Sequence, residues 1–192
     1  MEEKLIRLIN EGKLIIMPTD TIYGIIGDAT KEEVIEKVYE VKERNHNKPL
    51  LILVSNMEML KELTLEIPEL TKKIINKFWP GPLTILFKKS NKVSNKLTAN
   101  SPYIAIRMPN DKRLLNIMDK IGKPLISTSA NISSHDAIMN PNQLEKRMRE
   151  KIDYIVEEGT IENEASTLIK IENNHIEILR EGALASKIKE WQ

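Results

Sequence analysis

Lys42, Arg44 and Lys48 fall in one short stretch, Lys42-Glu43-Arg44-Asn45-His46-Asn47-Lys48-Pro49, ahead of an apolar run. A triphosphate needs several donors at once, and arginine offers a two-pronged fork to phosphate or carboxylate oxygens. The same cations also suit a helix C-terminus, whose partial negative charge attracts them. Three other segments turn polar where a strand should end, the usual place for ligand contacts in α/β proteins. Pro18-Thr19-Asp20-Thr21-Ile22-Tyr23-Gly24 sets two hydroxyls, a carboxylate and a phenol between apolar stretches; read singly, it is a hydroxyl-capped turn. Arg107 lies in the apolar run 103–108, where a guanidinium must snorkel to water or meet an anion, so an ion pair and a ligand contact fit equally. Ser127-Thr128-Ser129-Ala130-Asn131-Ile132-Ser133-Ser134 gathers five hydroxyls and an amide, enough to hold a nucleotide or an amino acid, although a serine-rich loop accounts for it as well. Near the end, Ser166-Thr167 and Arg180-Glu181-Gly182 flank a hairpin pattern that would bring Ser166 and Arg180 to one end of a sheet.

The elements that must position these residues can be read from periodicity. Leu5, Ile6, Leu8 and Ile9 have helical spacing, and Gly12 suits a left-handed cap. Residues 14–17 read as a buried strand that Pro18 stops. Thr30 with Glu33 forms a capping-box pattern for a helix that buries Val34, Ile35, Val38 and Val41 and runs to about Lys42. The run 50–54 is continuously apolar, as in a strand covered on both faces. Helical patterns at 57–63 and 68–78 follow, the second stopped by Pro80-Gly81-Pro82. Strands are expected at 83–87 and 103–108; in the latter, Ile104, Ile106 and Met108 face one way and Tyr103, Ala105 and Arg107 the other. A polar loop spans 88–101. A helix at 114–121 ends at Gly122 and Pro124. A strand begins at 125, a helix capped by Asn140-Pro141 runs to 150, and a strand covers 152–157. Strands at 167–171 and 176–180 turn at Asn173-Asn174, and a short helix closes the chain. Strands alternate with helices and a hairpin comes late, so the expected fold class is α/β with a twisted mixed sheet, parallel and antiparallel.

A chain of 192 residues with 41% hydrophobic and 30% charged residues is expected to form one domain, residues 1–192. No linker, repeat or shift in composition divides it. Aromatics make up only 4%, so Ile, Leu, Val and Met must build the core. The formal charge of +1 argues against a protein that coats nucleic acid or an anionic membrane by bulk charge, and leaves room for a local basic cleft. With no cysteine, disulfides, thiol catalysis and Cys-ligated zinc are excluded. No apolar run is long enough to span a membrane, and the acidic, amphipathic start is unlike a signal peptide; a cytoplasmic setting is expected. The chain contains no Walker A or Gly-x-Gly-x-x-Gly phosphate loop, and its three histidines lack metal spacing.

Singly these segments say little; in series they are specific. Pro18-Thr19-Asp20-Thr21-Ile22-Tyr23-Gly24, Lys42-x-Arg44, Lys48-Pro49-Leu50, Phe78-Trp79-Pro80-Gly81-Pro82-Leu83-Thr84, Ile106-Arg107-Met108-Pro109, Ser129-Ala130-Asn131, Ser166-Thr167 and Arg180-x-Gly182 occur in the order of the YrdC/Sua5 family. From about residue 5 to residue 185 the chain resembles that family's short, single-domain form. The resemblance implies a mixed sheet with helices around a positively lined cavity. It implies a nucleotidyltransferase that condenses L-threonine, bicarbonate and ATP to L-threonylcarbamoyl-AMP and pyrophosphate. Other proteins, a threonylcarbamoyl transferase complex, then modify the adenosine at position 37 of tRNA. ATP enters as a substrate, with Mg2+ carried by its phosphates and no metal ligands on the protein.

Carried over residue by residue, the resemblance makes Lys42 and Arg44 catalytic. It places Arg44, Lys48, Tyr103, Asn131 and Arg180 on ATP, Tyr103 through its strand backbone. It places Thr21, Arg107, Ser129 and Ser166 on threonine, with Arg107 facing the carboxylate. Leu53 stands where longer members often have His, so no side-chain contact to threonine is implied there. Ser133-Ser134-His135-Asp136-Ala137 replaces the usual Ser-Gly and Pro, so no role carries over to residues 134–139. The rival reading is a same-fold paralogue that binds RNA or matures ribosomes without synthase activity; near-neutral charge and few aromatics weigh against it.

Overall fold

The computed structural model describes residues 1–191. Its first helix, α1 (Glu2–Asn10), buries Leu5 and Ile9, and Gly12, at φ +74°, takes the left-handed turn out of it. β1 (Ile15–Pro18) and β2 (Tyr23–Asp28) form an antiparallel hairpin in which Pro18 opposes Tyr23. β2 was not expected from the sequence. Gly24, Gly27 and the terminal Asp28 weaken its strand signal, yet all six of its residues are buried. At Gly27 a β-carbon would lie 2.7 Å from Val34 and 2.9 Å from Leu14, so a glycine lets α2 (Glu32–Lys42) pack close to the hairpin.

The capping box expected at Thr30 is not made. Lys31 takes the cap position without a side-chain bond, because the Thr30 hydroxyl donates to Asp28 Oδ1 at 2.6 Å instead. The helix ends at Lys42 as expected. Glu43, at φ +48°, reverses the chain there, and the Arg44 amide donates back to the Tyr39 carbonyl at 2.9 Å.

β3 (Leu51–Leu53), α3 (Met57–Leu63), α4 (Glu69–Phe78), β4 (Leu83–Lys88), β5 (Tyr103–Arg107), α5 (Lys112–Ile121) and β6 (Leu125–Ser129) lie close to the expected positions. The helix expected through 150 is broken. Asn140 caps a 3-10 turn at Pro141–Gln143, Leu144 is extended, and only Lys146–Arg149 is helical (α6). Pro141 removes one amide donor and the local capping box closes the turn on itself. β7 is reduced to Tyr154–Ile155. β8 (Thr167–Glu172) and β9 (His175–Arg180) make the expected hairpin, with Asn173 and Asn174 both at positive φ as a primed turn requires. α7 (Ala185–Lys189) follows.

Among the described residues nine strands form one sheet in the order β7-β1-β2-β6-β3-β5-β4-β8-β9. β1 runs parallel to β7, β3 to β5 and β4 to β8; the other pairings are antiparallel. The mixed α/β sheet expected from the sequence is therefore the fold. One face carries Ile16, Ile25, Ile52, Ile126, Ile106, Ile85 and Ile169 into the larger core, beneath α2, α3 and α4. The other face carries Ile15, Met17, Ile26, Leu53 and Leu125 into a smaller core with Leu5 and Ile9 of α1 and Leu114, Ile117 and Met118 of α5.

Asp28 ends β2 fully buried. Its carboxylate accepts from Lys123 Nζ at 2.8 Å and from the Thr30 amide at 2.8 Å. Burial pushes its pKa up, but Lys123 and Thr30 outweigh this and hold it below the ordinary 3.8. Asp28→Asn is expected to cost about 1–3 kcal/mol near neutral pH, because it leaves Lys123 without its charge partner. A carboxylate with a lowered folded pKa stabilises fully above its unfolded value and loses that contribution as pH falls through the folded one. The gap between wild type and Asp28→Asn should therefore close below pH 3.8. Denaturant titrations across acid pH check this, and a gap that widens there contradicts it.

Candidate functional site

The two helices over the smaller core cover only part of their face. Strand alternation continues past them, and the side chains there change character. Leu53 is followed on the same face by Leu51, Leu125 by Ser127 and Ser129, and Ile26 by Gly24. Arg107 and Ala105 pair with Leu53 and Leu51 in register, and Leu86 with Ala105. Above this uncovered face lies a cavity of about 360 Å³. Its floor includes Leu51, Leu86, Ala105, Ser127 and Leu168. Its walls are the β1–β2 turn (Thr19, Thr21, Ile22), the loop after α2 (Arg44, Pro49), the end of β6 (Ser129), and the base of the β8–β9 hairpin (Ser166, Arg180).

Three guanidinium groups, Arg44, Arg107 and Arg180, line this one space. Burial lowers the pKa of each from the usual arginine value. All remain cations; Arg107, the buried one, is poorly hydrated, and such a charge gains most from an anion. Arg107 is only 3% exposed and its Nη1 donates to Asp20 Oδ1 at 3.0 Å. The sequence left open whether Arg107 makes an ion pair or faces a ligand; the structure gives it both an ion pair and a place in the cavity wall. Arg180 Nη2 donates to the Ser166 carbonyl at 2.8 Å and to its Oγ at 3.1 Å, so the hairpin does bring the two together. Ser166 Oγ also lies 2.7 Å from Thr84 Oγ1. Gly182 makes this convergence possible: a β-carbon there would sit 2.2 Å from the Ala165 carbonyl oxygen. Arg44 donates through Nε to the Lys48 carbonyl at 3.2 Å and through Nη2 to the Pro49 carbonyl at 2.9 Å. Its own loop thus aims it at the cavity. Thr21 Oγ1 lies 3.0 Å from Thr19 Oγ1, which donates to the Ile22 carbonyl and accepts the Thr21 amide.

Four residues expected at the site do not line the cavity. Lys42 is buried behind it. Its Nζ donates to the carbonyls of Ser129 at 2.5 Å and Asn131 at 2.8 Å and to Asn131 Oδ1 at 3.0 Å. Asn131 is turned inward by the same contacts: its Oδ1 also accepts from Ser129 Oγ at 2.5 Å, and its Nδ2 donates to the His135 carbonyl. Lys48 is exposed, and its backbone carbonyl is what the site uses. Tyr103 shares the face of Arg107 but lies nearer the other end of β5, where its hydroxyl donates to Glu172 at 3.0 Å and Lys170 lies over its ring. Thr21, Arg44, Arg107, Ser129, Ser166 and Arg180 are brought together as expected.

Sequence reasoning passed over Asp20, although an arginine on an apolar strand demands an anion and Asp20 is the carboxylate of the polar turn. Ser127 and Gly24, read from the sequence only as members of their polar segments, also line the cavity, a placement that the β2–β6 pairing explains. Among the described residues no cluster of three or more His, Asp or Glu could hold a metal ion, and no helix is long and apolar enough to cross a membrane.

A mixed open sheet with an arginine-lined cleft over its uncovered face defines a small α/β domain. The chain belongs to the family whose model is described as Sua5_yciO_yrdC, telomere recombination, which matches residues 7–182. It is 38% identical over 185 residues to a putative threonylcarbamoyl-AMP synthase of Methanocaldococcus jannaschii, covering 95% of this chain and 86% of that protein. It is 33% identical over 189 residues to the threonylcarbamoyl-AMP synthase of Pyrococcus abyssi, covering 96% of this chain but only 56% of that protein. The crystal structure of P. abyssi Sua5 complexed with L-threonine superposes with a TM-score of 0.92 at 31% identity, over 99% of this chain and 56% of that one. E. coli YciO, at 17% identity and a TM-score of 0.84, shares the fold.

Burial, with the charge of Arg44 adding, pulls Lys42 down to about 7. A lysine with a lowered folded pKa binds its proton less tightly than the unfolded chain does, so its contribution to stability rises with pH between about 7 and 10.5. Wild type should gain stability relative to Lys42→Met across that window. Urea unfolding of both proteins through the window checks the sign, and parallel curves would mean that Lys42 keeps an ordinary pKa.

Proposed function

We propose that this chain synthesises L-threonylcarbamoyl-AMP from L-threonine, bicarbonate and ATP. The observation that carries the proposal is the meeting of Arg44, Arg107 and Arg180 with the hydroxyls of Thr21, Ser129 and Ser166 in one cleft. It is supported by the fold shared with a Sua5 solved with L-threonine. Arg107 takes the threonine carboxylate, and Thr21, Ser129 and Ser166 surround its amine and hydroxyl. Arg44 and Arg180 take the phosphates. Lys42 and Asn131 do not touch substrate; they fix the backbone that presents Ser129.

The chemistry needs no dedicated acid or base. The threonine amine loses a proton and attacks the carbon of bicarbonate, releasing water and leaving a carbamate. A carbamate oxygen attacks the α-phosphorus of ATP, the α–β bridging bond breaks, and pyrophosphate departs. Such a transfer is governed by positioning and charge neutralisation. A cation about 4 Å from a phosphate, at an effective dielectric of about 20, gains roughly 4 kcal/mol before desolvation; two such groups suffice to shape the reaction. Magnesium would travel on the phosphate oxygens. The product would pass to a threonylcarbamoyl transferase complex acting on tRNA.

Purified protein with ATP, bicarbonate and magnesium should release pyrophosphate only when threonine is present. Release that ignores the amino acid, or tRNA binding without turnover, would overturn the proposal. Arg44→Ala should lower kcat/KM by about 100-fold or more, measured as pyrophosphate release. Arg107→Ala should raise the KM for threonine by about tenfold or more while kcat changes less.

A further inference from the structure

Among the described residues Asp20 is the one carboxylate in contact with any of the cavity's three guanidinium groups, and it touches Arg107 alone. Its side chain is 10% exposed and lies behind Arg107, outside the cavity lining. Both of its oxygens are used: Oδ1 accepts from Arg107 Nη1 at 3.0 Å and Oδ2 from the Asn110 amide at 2.9 Å. Its backbone carbonyl accepts from Asn163 Nδ2 at 3.3 Å. One residue thus fixes the β1–β2 turn, the end of β5 and the segment leading to Ser166. Arg107 uses a single nitrogen on Asp20 and presents its remaining edge to the cavity. Arg180 is near enough for its charge to act on Arg107.

This arrangement poses a problem of charge allocation. Three cations around one space would all attract a polyphosphate, and the most buried of them, Arg107, would attract it strongly. An amino-acid carboxylate carries one charge and loses that competition unless Arg107 is partly neutralised. We propose that Asp20 is a specificity-determining positioning residue. It cancels most of the Arg107 charge and aims the guanidinium, so that this corner accepts a monoanionic carboxylate and refuses phosphates. The phosphates are left to Arg44 and Arg180. The inference rests on the reading in which Arg107 binds threonine, and it extends that reading to a residue that touches no substrate.

The test uses the full chain and two ligands measured separately. By calorimetry, inorganic pyrophosphate should bind Asp20→Asn at least about threefold tighter than wild type, since a neutral amide removes the screening charge. In the turnover assay the KM for threonine should rise by about tenfold while kcat at saturation stays within about threefold. Pyrophosphate, weakly competitive with threonine in wild type, should become strongly so. Asp20→Glu, which keeps the charge but shifts the fork, should retain wild-type pyrophosphate affinity and lose threonine affinity. A role in folding alone predicts the same loss for both variants and no gain for pyrophosphate. If Asp20→Asn does not fold, Asp20→Ser, which leaves room for water at Arg107, serves as the neutral variant. Unchanged or weaker pyrophosphate binding in the folded neutral variant overturns the inference. Absence of threonine-dependent turnover in wild type overturns the underlying function instead, and the pyrophosphate calorimetry still decides the charge argument.

Discussion

A sheet buried on one face and only half-buried on the other is the constraint from which the site follows. Helices α2, α3 and α4 close the first face with Ile, Val and Leu. Helices α1 and α5 close part of the second. Where they stop, the strands continue, and their outward positions must suit water or a ligand. β6 records the change along its own length: Leu125 lies under α5, while Ser127 and Ser129 lie in the cavity. Pleating sends these three residues to the same side, so sheet, helices and site are not separable features.

The charged groups around that face are held by neighbours that do not themselves reach it. Lys42 spends its ammonium on the carbonyls at the end of β6, and Asp20 spends its carboxylate on Arg107. Buried ions so committed are expensive to desolvate and costly to orphan. What they contribute is geometry: Ser129 and Arg107 are held in place in the cavity wall. The family resemblance made Lys42 catalytic and put Asn131 on ATP. In the fold both pack behind the cavity and bond to Ser129 of its wall.

Much of this was legible before any coordinates. Alternation in 103–108 put Arg107 opposite Ile104 and Ile106, and Asn173-Asn174 announced the hairpin that joins Ser166 to Arg180. The failures have physical causes. β2 was hidden because Gly24 and Gly27 serve close packing rather than strand propensity. The Thr30 capping signal was real in composition but lost to a shorter bond with Asp28. Residues 140–150 carry helical residue types, yet extended Leu144, buried in the larger core, splits them into two short turns. Exposure was the hardest to foresee: nothing in Lys42-Glu43-Arg44 says that the first cation is buried and the third residue reaches the cleft.

The β8–β9 hairpin has one further implication. Its cavity-lining residues occupy the open base, whereas Asn173 and Asn174 form the tip, about six residues away at roughly 3.3 Å per step. Changes in tip length or sequence would be felt some 20 Å from Ser166 and Arg180. That distance makes the tip a natural attachment point for a reporter dye or an immobilising tether, and a place where lineages could diversify without disturbing the chemistry.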